Sequence, residues 1–472
     1  MSYFIFSATT KKIRLILIGL AAFLSLVALW AGASIYAGKQ FAARLQEMAT
    51  KSDARSAYTI SQLDHQPGLF ASSGTLTIRL IDACDESGAM PEIGAAKLSY
   101  QVAHLILPGS LLRVGWTLAP ADDARASFEK LFGGEAKLSG TGKVDFSGAL
   151  HSDMHLPQLK LAKQGGVVTI SPSSGRLAVG KETLVFDWKT DKLTARGDGS
   201  ALELSNVEIA VDLKNRQRGI GTVSFSLDKI STSLGSAERF KLASVAAEKD
   251  NKLDLSLTQS LKSVQVGDKL VSDLVLQLVF NGLDAVSVET LINLSEQSCG
   301  FRNLTLDEKE RARVATRGVL MQGFSAGIAK VTGTVDGGSL NGKWLLELGK
   351  SAGPELMLAT ALKSTGELTL TGKAVSVDEK KTAVSYGLAT ETPLGLKATL
   401  AYSDGILKLN NQVYDATLFL NAVSAMEKEI NDFLSGKVRP KAPAAALPAA
   451  EESQAPTEEG GEVEQVDENK KI

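Results

Sequence analysis

Apolar and polar positions along this chain follow two different rhythms. Residues 15–37 carry no charge and come directly after Lys11, Lys12 and Arg14. Such a run predicts a membrane-spanning helix, since about 20 apolar residues rising 1.5 Å each cross the ~30 Å hydrocarbon layer. Leu15, Leu20, Phe23 and Leu29 supply its apolar length, and Trp30 and Tyr36 suit the outer interface. The basic cluster predicts an N-terminus held in the cytoplasm and an exported remainder. Ala31-Gly32-Ala33 offers a small-x-small cleavage pattern, yet the apolar run continues past it through Ile35 and Tyr36. The whole run is longer than the core of a cleaved signal peptide. Either reading exports the rest of the chain. Phe41, Leu45 and Met48 then repeat at helical spacing, which predicts a helical stalk over residues 38–56 acting as a spacer.

From residue 57 to 436 the period falls to two. Thr75 to Leu80 alternates polar and apolar, as a strand with one buried face requires. The pattern recurs at residues 137–146, 167–170, 183–188, 202–213, 221–227, 252–257, 273–279, 367–370 and 395–402. Ser174-Gly175, Asp198-Gly199, Asp336-Gly337-Gly338, Asn341-Gly342 and Asp404-Gly405 read as turns between strands. The fold class expected is therefore mainly β, in extended antiparallel sheets with one covered and one wetter face. Accessory helices are expected at residues 121–132, 305–322 and 416–434. Thr305 and Glu308 have capping-box spacing, Asp415 can cap the last helix, and Gly436 can end it. Leu420, Val423, Met426, Ile430 and Phe433 give that last helix an apolar stripe. Residues 437–472 are rich in Pro, Ala and Glu with little to bury, the composition of a disordered tail.

The net charge of −2 provides no single-signed field for nucleic acid. Only Cys84 and Cys299 occur, too far apart in sequence to say whether they pair, and neither sits in a C-x-x-C pair.

No catalytic constellation emerges, and no metal or cofactor is expected. Gly323-Phe324-Ser325-Ala326-Gly327 matches a nucleophile elbow, but a predicted helix precedes it, a strand follows, and no histidine comes after His155. His151 and His155 lie on a strand, where residues four apart are about 13 Å apart and cannot share one ion. His65 and His104 read as satisfied structural histidines. Asp122-Asp123 and Asp307-Glu308 suit the first turns of helices rather than a two-carboxylate site. Gly349-Lys350-Ser351 copies the end of a phosphate loop, but Trp344 stands where the first glycine belongs.

Several strings carry a resemblance: Tyr36-Ala37-Gly38-Lys39 at the membrane exit, His65 to Ser73 at the first strand pair, His104, and Tyr402 to Asn410 before the closing helix. Together they resemble the YdgA-like family of bacterial envelope proteins. At His104 this chain departs from the family's His-Gly-Pro, having Leu105 and Ile106 instead. The resemblance implies a single-pass inner-membrane protein with a periplasmic body and no assigned reaction. The function expected is a binding or scaffold protein that holds lipid or another hydrophobic ligand on an apolar sheet face, in the manner of AsmA-like envelope proteins. Membrane lipids and other envelope proteins are its expected partners. The rival readings are partner binding through edge strands or the acidic tail, and an exported hydrolase built on one of the four histidines.

Overall fold

The computed structural model describes residues 3–50, 58–81, 92–104, 106, 108–121, 137–163, 165–197, 199–266, 269–298, 300–301, 304–351 and 353–436, with side chains of the first helix described from Ser25. Cys84, Cys299, Asp122, Asp123, residues 122–132 of the first expected accessory helix and the tail at 437–472 lie outside those residues.

Helix α1 runs unbroken over Tyr3–Thr50. Among the described residues, twenty-two strands then make one sheet. The first group is β1 (Tyr58–Gln66), β2 (Ala71–Ile81), β3 (Glu92–Ala103), β4 (Leu112–Pro120), β5 (Leu138–Val144), β6 (Leu150–Leu156), β7 (Leu159–Lys163), β8 (Gly166–Ile170) and β9 (Ser173–Val179). Seven long strands come next: β10 (Leu184–Gly197), β11 (Ser200–Asn215), β12 (Ile220–Thr232), β13 (Gly235–Lys249), β14 (Lys252–Val266), β15 (Lys269–Asp284) and β16 (Phe324–Val335). The sheet closes with β17 (Gly338–Leu348), β18 (Leu362–Thr371), β19 (Thr390–Thr392), β20 (Gly395–Ser403), β21 (Ile406–Leu409) and β22 (Gln412–Tyr414). The remaining helices are α2 (Ala285–Gln297), α3 (Leu306–Gln322), the single turn α4 (Leu358–Ala361), α5 (Val377–Ser385) and α6 (Thr417–Leu434).

Every strand pairing is antiparallel, and most join neighbours in sequence, as local hairpins require. Three pairings break that order, one of them β18 with β20 past the short β19. β6 pairs with β9, and the β7–β8 hairpin lies beside the distal half of β10. Pro157 and Pro172 stand at the breaks between β6 and β7 and between β8 and β9, where a proline cannot donate to the ladder.

The same line continues across the long strands. Asp191, Asn206, Asp228, Arg239, Lys262 and Asp273 lie opposite one another on β10 to β15, where ladder pairs are skipped. Asn206, Arg239 and Asp273 have left-handed backbone, with φ of 52°, 50° and 52°. Asn206 donates to Asp228 at 2.7 Å, and Lys262 pairs with Asp273. Apolar positions step by three here, from Leu204 to Val207, Leu227 to Ile230 and Leu261 to Val264. In an unbroken pleat such a step would send the apolar set to the opposite face. This crease is where the step is taken.

Two of the expected turns fall inside strands instead. Gly175 pairs directly with Trp188, and an added Cβ would lie 2.5 Å from the indole. Gly342 sits in β17 between Leu368 and Val331, each 3.0 Å from an added Cβ. Their glycines mark close approach of neighbouring side chains rather than a reversal of the chain. Trp116 over Gly140 and Trp344 over Gly366 repeat the device. The indole N–H groups of Trp116, Trp188 and Trp344 donate to Ser152, Thr190 and Ser364.

Thr305 and Glu308 form the expected capping box on α3. Asp415 accepts from the Thr417 backbone at 2.9 Å ahead of α6, and Gly436 ends it with φ of 73°. Val423 and Ile430 of the α6 stripe pack on Leu348, Leu356 and Leu358, while Met426 and Phe433 stay exposed. Helix α2 has no counterpart among the expected elements, nor has α5 with its Ser376–Glu379 capping box.

Candidate functional site

The apolar face of the sheet is one surface with two fates. A directly paired row crosses it through Gly74, Tyr100, Trp116, Gly140, Met154, Gly175, Trp188, Ile209 and Phe225. Large side chains lie over glycines, which keeps the row packed within the sheet itself.

At its start this face is covered by α1. Ala37, Phe41 and Leu45 pack on Leu76, Tyr100, Val102 and Leu112. The stalk expected as a spacer is therefore seated on the sheet, because its apolar face matches an apolar sheet face of its own chain. Trp30 donates to the Ile106 carbonyl at 2.7 Å and stacks on Phe70, and Ser34 is fully buried. Gly38 lies against the His104 ring, so close that a Cβ would fall 2.6 Å from Nδ1. Leu29 and Tyr36 point outward and are exposed. Lys11, Lys12, Arg14, Leu15, Leu20 and Phe23 belong to the same continuous helix, ahead of its described side chains. Among the described residues no helix is long and apolar enough to cross a membrane.

Beneath α1 two histidines meet hydroxyl groups, a convergence that strand spacing alone does not reveal. His104 Nε2 lies 2.6 Å from Ser72 Oγ, and His65 Nδ1 lies 2.9 Å from the Tyr100 hydroxyl. Each is only half satisfied, contrary to expectation: His65 Nε2 and His104 Nδ1 are buried without a hydrogen-bond partner. Burial, reinforced by His65, pushes the His104 pKa down; burial and nearby Asp64 push the Tyr100 hydroxyl up. A serine beside an imidazole is the start of a nucleophile–base pair. Here the second imidazole nitrogen faces Gly38 rather than an orienting carboxylate, and both Ser72 and His104 are buried. The arrangement suits a packed joint better than a reaction centre.

The other candidates are placed apart. His151 and His155 lie on β6, and His151 Nε2 contacts Asp145 Oδ2 at 3.0 Å. Ser325 is the second residue of β16, just after α3, and its hydroxyl accepts from Asn281 at 3.3 Å. Lys350 and Ser351 lie in the loop after β17. No group of metal-ligating side chains occurs among the described residues.

Farther along the sheet the apolar face lies open. Phe186, Val211, Val223, Ser244, Leu257, Leu278, Ile328 and Trp344 are successive direct partners on β10 to β17. At about 4.8 Å per strand this row is about 33 Å long, with one polar member. Val223, Leu257 and Trp344 are 41%, 37% and 41% exposed. The buried clusters of this part of the sheet lie beside it: Leu253, Leu283 and Ala285 with α2 and α3, and Leu348, Leu356 and Val423 with α6. The opposite face carries ion pairs such as Lys189–Glu208, Lys192–Glu203 and Lys397–Glu367. Alternation in the sequence locates the individual strands of this row; only the register shows that they share one uncovered line.

The class defined by these features is a single antiparallel sheet, helix-covered at its ends and bare in the middle. The chain belongs to a family of bacterial proteins of unknown function, DUF945, whose model matches residues 11–378, from the basic cluster to the start of α5. No curated protein and no solved structure shows significant similarity to it.

Proposed function

We propose that this is a YdgA-like envelope protein, anchored in the bacterial inner membrane by the apolar run that begins at Leu15 and meets the sheet at Trp30, which holds lipid acyl chains on the open apolar row of its periplasmic sheet. The observation that carries this reading is the row from Phe186 to Trp344: aligned, apolar and uncovered. A soluble monomer rarely leaves so long an apolar line bare. The occupant is a lipid because the same sheet face begins under the helix that carries the apolar run, so membrane and row adjoin through one continuous surface. Leu26, Leu29, Leu69 and Phe70 expose apolar side chains around Trp30, as contact with the membrane interface would favour. The chain acts by binding, without a reaction of its own.

Two measurements test the proposal. Alkaline extraction of bacterial membranes should leave the intact chain in the pellet; release as a soluble species would remove the anchor from the account. Lipid extracted from purified chain should fall at least tenfold in Leu257→Asp with Trp344→Asp, and stay level in Ser256→Asp on the opposite face. Equal lipid in all three would refute the acyl-chain reading.

A further inference from the structure

A broad cleft lies on the polar face of the sheet, opposite the apolar row. It is a cleft of about 1220 Å³ over β2 to β6, β9 and β10, lined by Ser73, Gln101, Arg113, Thr141, Lys143 and His151 among others. Its floor has an unusual charge order. Arg113 pairs directly with Lys143, and Lys143 pairs directly with His151, on three consecutive strands. Side chains at such positions have Cβ atoms about 5 Å apart, and like charges there destabilise a sheet. Arg113 and Lys143 are exposed and have no acidic partner among the described residues. The neighbouring row shows ordinary pairing: Arg176 lies between Asp153 and Asp187 and bridges Asp187 at 3.3 Å. His151 is held by Asp145, whose carboxyl is kept well below its usual range mainly by the Ser147 hydroxyl and His151.

A sheet that tolerates uncompensated cations in such a cleft gains when an anion arrives. We propose that this cleft binds the phosphate group of a hydroxylated ligand, with Arg113, Lys143 and His151 around the phosphate. Arginine offers a planar fork for phosphate oxygens and lysine a compact charge. The volume exceeds that of a small-molecule site, about 300–1,000 Å³, so phosphate alone would leave most of it empty. The hydroxyl and amide groups of Ser73, Gln101 and Thr141 suit a polyol attached to the phosphate. A free sugar phosphate and a phospholipid headgroup share that chemistry.

The test uses the full chain in uncharged detergent, with glycerol 3-phosphate and with phosphatidylglycerol vesicles as separate probes. One or both should bind, with Kd raised at least tenfold in Arg113→Ser and in Lys143→Thr. Without ligand each variant should unfold at the parent temperature or above it, since repulsion is relieved. Binding of the soluble ester identifies a free phosphate ligand, whereas binding of vesicles alone, with the same dependence on both residues, identifies a lipid headgroup. Parent-like affinity in both variants, or no binding of either probe, overturns the site.

Discussion

Val102 and Leu257 occupy equivalent places on one sheet face, yet Val102 is fully buried under α1 and Leu257 is 37% exposed. Both come from the same alternation of apolar and polar residues. The difference shows that an amphipathic strand promises an apolar face but does not say what covers it. Near the N-terminus the chain supplies its own cover through Phe41 and Leu45. Along the row from Phe186 to Trp344 none of the packed clusters with α2, α3 or α6 does so, and the cover is expected from outside.

The sharpest way to break that comparison is to place one charge at each site. Val102→Asp should cost more than about 4 kcal/mol and abolish cooperative folding, because an unpaired carboxylate would be trapped in a packed core. Leu257→Asp should cost about 1 kcal/mol or less, since its side chain already meets solvent. Urea unfolding of the full chain in detergent measures both; similar losses would mean that the middle of the sheet is covered after all.

A smaller effect is expected where α1 meets the sheet. Gly38→Ala brings a methyl group against the buried His104 ring, and overpacking of this kind costs about 1–3 kcal/mol. Limited proteolysis should then cut α1 near residue 45 while leaving β10 to β17 intact.

The smallest effect is a pH dependence confined to the same joint. The folded state depresses the His104 pKa, so the neutral form is favoured under α1. Stability from this group is complete above the unfolded value of about 6.5 and is lost as pH falls from there through the depressed folded value. The parent should therefore lose stability between about pH 7.5 and 5, and His104→Gln should lose less over that interval, whatever its absolute stability. Equal slopes would exclude His104 as the titrating group.

Much of the architecture is legible in the sequence, for identifiable reasons. The strands at 71–81, 200–215 and 395–403 announce themselves by period two, and α3 by its capping box. β13 escapes because Ala243, Val245 and Ala247 put apolar residues on the face that should be polar. α2 escapes because Val286, Val288 and Ile292 favour strand, although Asp284 accepts from the Ser287 backbone and starts a helix. Gly175 and Gly342 mislead because glycine marks both turns and close approach. The candidate sites are less legible still. The apolar row, the row of cations and the Ser72–His104 contact all depend on register, which joins residues tens of positions apart.

The most direct measurement places a photo-crosslinking amino acid at Leu257 and, separately, at the adjacent Ser256 in cells, with mass spectrometry of the adducts. The account predicts phospholipid adducts at position 257 and few or none at position 256. Equal lipid labelling at both positions, or protein adducts alone at position 257, would contradict it.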